Sequence, residues 1–300
     1  MGEVWVKKRG ANFNRYGLWL GNTWAHRVFK AHHTELNHWY WSFVPASEYC
    51  KHIVRKSGGV SPRSLFHVSG PNLRRVHDRP SEWTKHFNDF GNWARLSVIM
   101  SACSYLEMYI QSVVELALLS DPAVRHGKTR IIDGVHWVKV GIREDNTSLV
   151  NSCTKGEWPK RASNYKNIFG VVPEVINKNI GELESIRKFR NSVGHSFGRP
   201  LSRFRDPLVM SFDNTERISE KRMQRWLGLI DDIALSVDQH LVHHIGEFEA
   251  VWLFHRMDVS GETRGDGGRA RPLSKKLGQM FSGGPGIGFC RQLVSYYDGL

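Results

Sequence analysis

Between Asn92 and Leu119, apolar residues return at the period of an α-helix. Leu96, Ile99, Cys103, Leu106, Ile110, Val113 and Ala117 follow one another at steps of three and four. They therefore line one stripe of a helix whose other faces are more polar. A stripe that long needs partners to cover it, which commits the chain to a packed, mainly helical core. Ser101, Ser104, Glu107, Gln111 and Glu115 interrupt the run, so it reads as a core helix and not as a membrane span. Asp121-Pro122 marks its end.

Two later segments supply the covering stripes. Val175, Ile176, Ile180, Leu183, Ile186 and Phe189 repeat near 3.6 residues, in a helix expected to start near Pro173. Trp226, Ile230, Ile233, Val237, Leu241, Ile245, Phe248 and Trp252 do the same, predicting one long helix from about Glu216 to about Met257 with Asn214 as candidate cap. Arg161 to Phe169 predicts a short helix before Gly170, and residues 143–160 read as a polar loop. Residues 129–132 and 135–140 alternate around Asp133-Gly134, which predicts a β-hairpin between helices. The fold class expected is mainly α: a helical bundle with an inserted β-hairpin. Residues 1–90 form a basic, Trp/His-rich amino-terminal segment without an assignable fold, residues 91–257 the helical domain, and residues 258–300 a flexible Gly/Arg-rich tail.

The chain carries a net charge of +13 and a pI near 9.7, which points to an anionic partner. Residues 1–86 hold 14 Lys/Arg against 5 Asp/Glu, so most of the positive field comes from the amino-terminal quarter. Its Trp and basic residues can stack bases and hold phosphates, or they can be core. The four cysteines, Cys50, Cys103, Cys153 and Cys290, form no CxxC pair, which argues against a disulfide framework and a zinc ribbon. With no apolar run in the first thirty residues, a secretory signal is not expected and a reducing cytoplasm is. His32, His33, His38, Cys50 and His52 match no standard zinc spacing, so no metal is expected. Ser282 to Gly288 lacks the Lys-Ser/Thr of a P-loop and follows no clear strand, so it reads as flexible tail; no cofactor is expected.

Chemistry concentrates in Arg190-Asn191-Ser192-Val193-Gly194-His195. Arg190 lies one turn past Ile186 and two past Leu183, along the apolar stripe. A guanidinium placed there is costly unless a carboxylate or phosphate meets its fork. Gly194 is expected to stop the helix, leaving His195 in an exit turn where it can fold back toward Arg190. A fixed cation beside a side chain that exchanges protons near neutral pH is the minimum equipment for phosphodiester cleavage. The competing reading is a helix that simply ends in Gly-His, with Arg190 exposed and His195 as a cap. Arg199, Arg203 and Arg205 follow closely, either to contact phosphates beside the scissile bond or to sit in a solvated loop.

The Arg190-to-His195 spacing resembles the HEPN family signature, Arg-x(4–6)-His with a polar residue after the arginine, here Asn191. An acidic residue inside the apolar face of an earlier long helix, here Glu107, and a further long helix after the motif also fit. The resemblance covers about residues 90–257. It implies a HEPN-like helical bundle and a metal-independent endoribonuclease. Such enzymes usually act as a homodimer, and often as a toxin or antiphage defence effector held by an antitoxin or other regulatory partner.

In that scheme Arg190 clamps the phosphate, His195 moves protons as base, acid or both, and Asn191 orients. Glu107 either braces Arg190 or belongs to a purely structural ion pair. RNA supplies its own nucleophile, the 2′-hydroxyl. The alternative function is a non-catalytic RNA- or nucleotide-binding adaptor of the same fold.

Overall fold

The computed structural model describes residues 12–196, 216–263, 268–281 and 283–300, the side chains of His195 and Ser196 excepted. The described residues are mainly helical and contain no strand. The helices are α1 Trp24–Lys56, α2 Pro62–Leu65, α3 Pro80–Ser120, α4 Gly134–Lys139, α5 Thr147–Thr154 and α6 Trp158–Phe169. They continue with α7 Glu174–Lys178, α8 Ile180–Ser196, α9 Glu220–Ile245, α10 Phe248–Ser260, α11 Ala270–Met280 and α12 Ile287–Asp298. None of the described helices is long and apolar enough to cross a membrane. The chain divides into two compact units. One holds the described residues of Met1–Val28, Glu107–Ile180 and Ile233–Leu300; the other holds Phe29–Leu106 and Gly181–Asp232.

The expected stripe of α3 is buried along its length, from Leu96 and Ile99 through Val113 to Ala117. In the unit of Phe29–Leu106 and Gly181–Asp232, α8 buries Leu183, Ile186, Phe189 and Val193. Phe189 meets the fully buried Trp226 of α9 edge-on at 5.1 Å, and the Trp226 indole N–H donates to Glu182. The face α1 buries here is mixed: Phe29, Leu36 and Val54 alternate with His33, Tyr40 and Ser47. His33 and Tyr40 are tolerable there because they are partnered. His33 Nε2 lies 3.2 Å from the Leu227 carbonyl, and the Tyr40 hydroxyl donates to Glu220 at 2.8 Å.

In the other unit, a buried arginine organises the packing. Arg15 donates through Nη1 to the Ile245 carbonyl at 2.7 Å and through Nη2 to Ser120 Oγ at 2.8 Å. Its Nε and Nη2 both reach Asp133 Oδ1, at 3.1 and 3.0 Å.

Several expectations need correction. The β-hairpin is absent: residues 134–139 are helix α4, capped by Asp133, whose side chain accepts from Val135 N at 2.9 Å. Asp-Gly reads equally well as a hairpin turn and as a cap followed by a small residue, and packing decides. A Cβ on Gly134 would lie 1.6 Å from the Leu119 carbonyl oxygen, so the glycine permits close approach to the end of α3. The polar loop at 143–160 contains α5 and the start of α6. The long carboxy-terminal helix is broken between α9 and α10 at Gly246, which has φ +49°. Its Cβ would lie 2.1 Å from the Arg15 carbonyl oxygen, and that oxygen accepts from Glu247 N at 2.8 Å.

The segment expected as a flexible tail folds, in its described residues, into α11 and α12. Leu273, Leu277, Phe289, Cys290 and Leu293 are fully buried there. A Gly-rich composition hid two short amphipathic stripes. Gly194 does not stop its helix, because α8 continues to Ser196. A Cβ there would meet only the flexible end of the Met100 side chain, Cε at 3.3 Å. The candidate cap Asn214 lies outside the described residues.

Candidate functional site

Arg190 and Asn191 sit on the last turns of α8, whose Leu183, Ile186, Phe189 and Val193 anchor it in its unit. Arg190 is half-buried, as a position one turn past Ile186 should be. Its Nη1 donates to Asn191 Oδ1 at 3.3 Å. The next residue, Ser192, donates from Oγ to Glu216 Oε2 at 3.1 Å. Asn92 completes this corner, its Nδ2 donating to the Glu216 carbonyl at 2.9 Å and its Oδ1 accepting from Ile218 N at 3.1 Å. The residues that lead into α9 are thus tied to the end of α8 and to α3 by polar contacts that the apolar repeats do not reveal.

The helical course of α8 through Gly194 changes the expected relation between Arg190 and His195. Five helical positions turn by about 140° and rise by about 7.5 Å. The two backbone positions therefore face different directions along one helix, without the exit turn that would fold one toward the other. The side chain of His195, and all of Arg199, Arg203 and Arg205, lie outside the described residues.

Glu107 belongs to the other unit. It is about one-third exposed, and Arg161 Nη2 lies 3.4 Å from its Oε1. Arg161 is buried, donates from Nε to the Gly156 carbonyl at 2.9 Å, and stacks over the Trp158 ring at 5.1 Å. Sequence reading missed Arg161 because it lies 54 residues from Glu107, in a segment with no charge pattern of its own.

Two further groups were not legible in the sequence. Asp238, Glu247 and Glu249 are buried carboxylates that hold the amino-terminal stretch of their unit. Glu247 Oε1 accepts from Trp19 N at 2.5 Å, Glu249 Oε2 from Trp24 N at 2.8 Å, and Asp238 Oδ2 from Thr23 N at 3.2 Å. Burial pushes the Glu247 carboxyl up to about 8 and the Glu249 carboxyl to about 7, because little solvent remains to stabilise their charge. Near the carboxy terminus a cavity of about 390 Å³ is lined by Arg269, Arg271, Arg291, Ser295 and Asp298 among others. Arg269 is answered there by Asp298 and by Asp258 at 3.3 Å.

Among the described residues no group of three or more His, Cys, Asp or Glu side chains is arranged to hold a metal ion. Of the histidines and cysteine grouped on α1, His33 is buried while His38 and His52 are exposed, so that cluster is dispersed around the helix. Burial also pushes the Cys153 thiol up to about 11, which keeps it protonated and poorly nucleophilic. No protein-family model, curated protein or solved structure matches the chain.

Proposed function

We propose that this chain is a HEPN-type, metal-independent endoribonuclease in which Arg190, Asn191 and His195 act on the scissile phosphate. The observation that carries the reading is the setting of Arg190. A half-buried guanidinium, aligned by Asn191 at 3.3 Å, projects from a helix end fixed by four core side chains. Such a cation loses little freedom on meeting a phosphate, and its fork matches two non-bridging oxygens.

The chemistry follows. A base takes the proton of the 2′-hydroxyl, and that oxygen attacks the adjacent phosphorus while the bond to the 5′-oxygen breaks. An acid returns a proton to the leaving 5′-oxygen. The products are a 2′,3′-cyclic phosphate and a 5′-hydroxyl. Arg190 neutralises charge as it builds on the phosphorane oxygens. His195 supplies base and acid most simply as one imidazole from each of two copies, so the active form is a homodimer. The cytoplasm and a regulatory partner are the setting such an activity requires.

Incubation with end-labelled RNA in EDTA tests the proposal. The parent should cut, whereas Arg190→Ala and His195→Ala should each lose at least about a hundredfold in rate, the scale of one general acid–base or oxyanion contact. Cleavage that appears only on adding a divalent metal would overturn it.

The second reading, a non-catalytic RNA-binding adaptor, is favoured by one observation. The helix through Gly194 turns positions 190 and 195 about 140° apart. Under that reading all three proteins bind RNA alike and none cuts it.

A further inference from the structure

We infer that the aromatic ladder on α1 and α3, rimmed by the basic segment that joins them, is a stacking platform for single-stranded RNA. This rests on RNA being the ligand of the chain, as proposed above, and adds where and in what form it is held. Six rings form a continuous series within the unit of Phe29–Leu106 and Gly181–Asp232. Phe66 meets Trp83 at 5.1 Å, and Trp83 stacks on Phe87 at 4.5 Å and 17°. Phe87 lies 6.2 Å from Phe43, which meets Phe90 edge-on at 5.4 Å. Phe90 stacks on Trp93 at 5.6 Å and 16°.

The ladder opens at one end instead of closing into core. Phe90 is 47% and Trp93 48% exposed. Helices α1 and α3 run antiparallel here, since His32 stacks on Tyr105 while Phe43 meets Phe87 and Phe90. That register puts Trp39, one turn before Phe43, level with Trp93, and Trp39 is 61% exposed. Parallel-stacked rings that reach solvent offer what an unpaired base stacks upon. From Trp83 to Trp93 the row extends about 15 Å along α3, room for a short single-stranded run.

Charge selects the occupant. Residues 50–86 hold eight Lys/Arg against Asp78 and Glu82 alone. Arg74, Arg75, Arg79 and Lys85 are all exposed. Their segment is fastened to the closed end of the ladder by Phe66 on Trp83 and by Arg63 Nε donating to the Val76 carbonyl at 2.7 Å. Rings for bases lie beside cations for phosphates, the pairing that single-stranded nucleic acid needs. A lipid surface is the poorer match. The exposed side of α1 sets Thr34, Glu35, His38, Ser42 and Glu48 among its aromatic residues, so it has no continuous apolar face to bury in acyl chains.

The test is fluorescence anisotropy of a labelled 2′-O-methyl oligouridine, which binds as RNA does but cannot be cut by 2′-hydroxyl attack. The full chain should bind it, and the corresponding duplex should compete poorly. Trp93→Ala and Trp39→Ala replace exposed rings, so they should fold as the parent does by circular dichroism and weaken binding about fivefold to a hundredfold each. Arg74→Glu with Arg75→Glu should weaken binding and flatten its salt dependence. Unchanged affinity in both tryptophan variants would overturn the platform. So would binding of anionic phospholipid vesicles in place of the oligonucleotide. Failure here is separate from failure of the ribonuclease reading. Cleavage in EDTA with unaltered affinity in the variants removes the platform alone, and ring-dependent binding without cleavage removes the catalytic reading alone.

Discussion

Buried Arg15 and half-buried Asp133 form a doubly contacted ion pair, with Nε and Nη2 of the arginine 3.1 and 3.0 Å from one carboxylate oxygen. The same carboxylate caps α4 and accepts from the Tyr296 hydroxyl. One side chain thus ties the amino-terminal stretch, α4 and α12 together within their unit. Arg15→Ala would leave Asp133 without its cation and take from Ser120 Oγ and the Ile245 carbonyl the guanidinium that donates to both, the carbonyl keeping only the Ser120 hydroxyl at 3.0 Å. A loss of about 3–5 kcal/mol in chemical denaturation is expected. A cost below about 1 kcal/mol would show that the pair is peripheral to the packing.

The buried Glu247 predicts a pH dependence with a definite sign. Its folded-state value, about 8, lies above the ordinary 4.5, so the folded chain prefers the protonated form. Between those values the unfolded chain binds fewer protons, and stability falls as pH rises from about 4.5 to about 8. Glu247→Gln keeps an acceptor for Trp19 N and removes the titration. The melting temperature of the variant should match the parent near pH 5 and exceed it by several degrees near pH 8. A parallel pair of curves across that range would contradict the assignment.

Two glycines should respond to alanine with opposite signs. At Gly134 the new Cβ would fall 1.6 Å from the Leu119 carbonyl oxygen, which forces α4 away from the end of α3. A cost of about 2 kcal/mol or more is expected, since backbone cannot yield as a flexible side chain can. Gly228 lies within α9, is exposed, and has nothing within 4 Å of the point a Cβ would occupy. Gly228→Ala should stabilise by about 0.5–1 kcal/mol through helix propensity. Urea denaturation of the two variants reads both signs at once.

The apolar stripes of α3, α8 and α9 were legible because Leu, Ile and Val carry the burial there. The stripe of α1 was not, because His33, Tyr40 and Ser47 occupy buried positions, the first two made tolerable by partners on α9. Asp133-Gly134 misled for a related reason. Its meaning was fixed by Arg15 and by the Leu119 carbonyl, 118 and 15 residues away, and no local pattern contains either. Tail helices α11 and α12 were masked by glycines around Leu273, Leu277, Phe289 and Leu293. In the candidate site, the half-buried placement of Arg190 followed from its spacing to Leu183 and Ile186. The continuation of α8 past Gly194 did not, since glycine near a helix end is compatible both with a stop and with helical backbone, and no local pattern separates the two.

The central claim is that Arg190 and His195 cut RNA without a metal. It is tested most directly by analysing the ends of RNA fragments made by the full chain in EDTA. The account predicts 2′,3′-cyclic phosphate and 5′-hydroxyl ends from the parent, and intact RNA from His195→Ala and Arg190→Ala. Fragments with 5′-phosphate ends, or equal cleavage by parent and both variants, would contradict it.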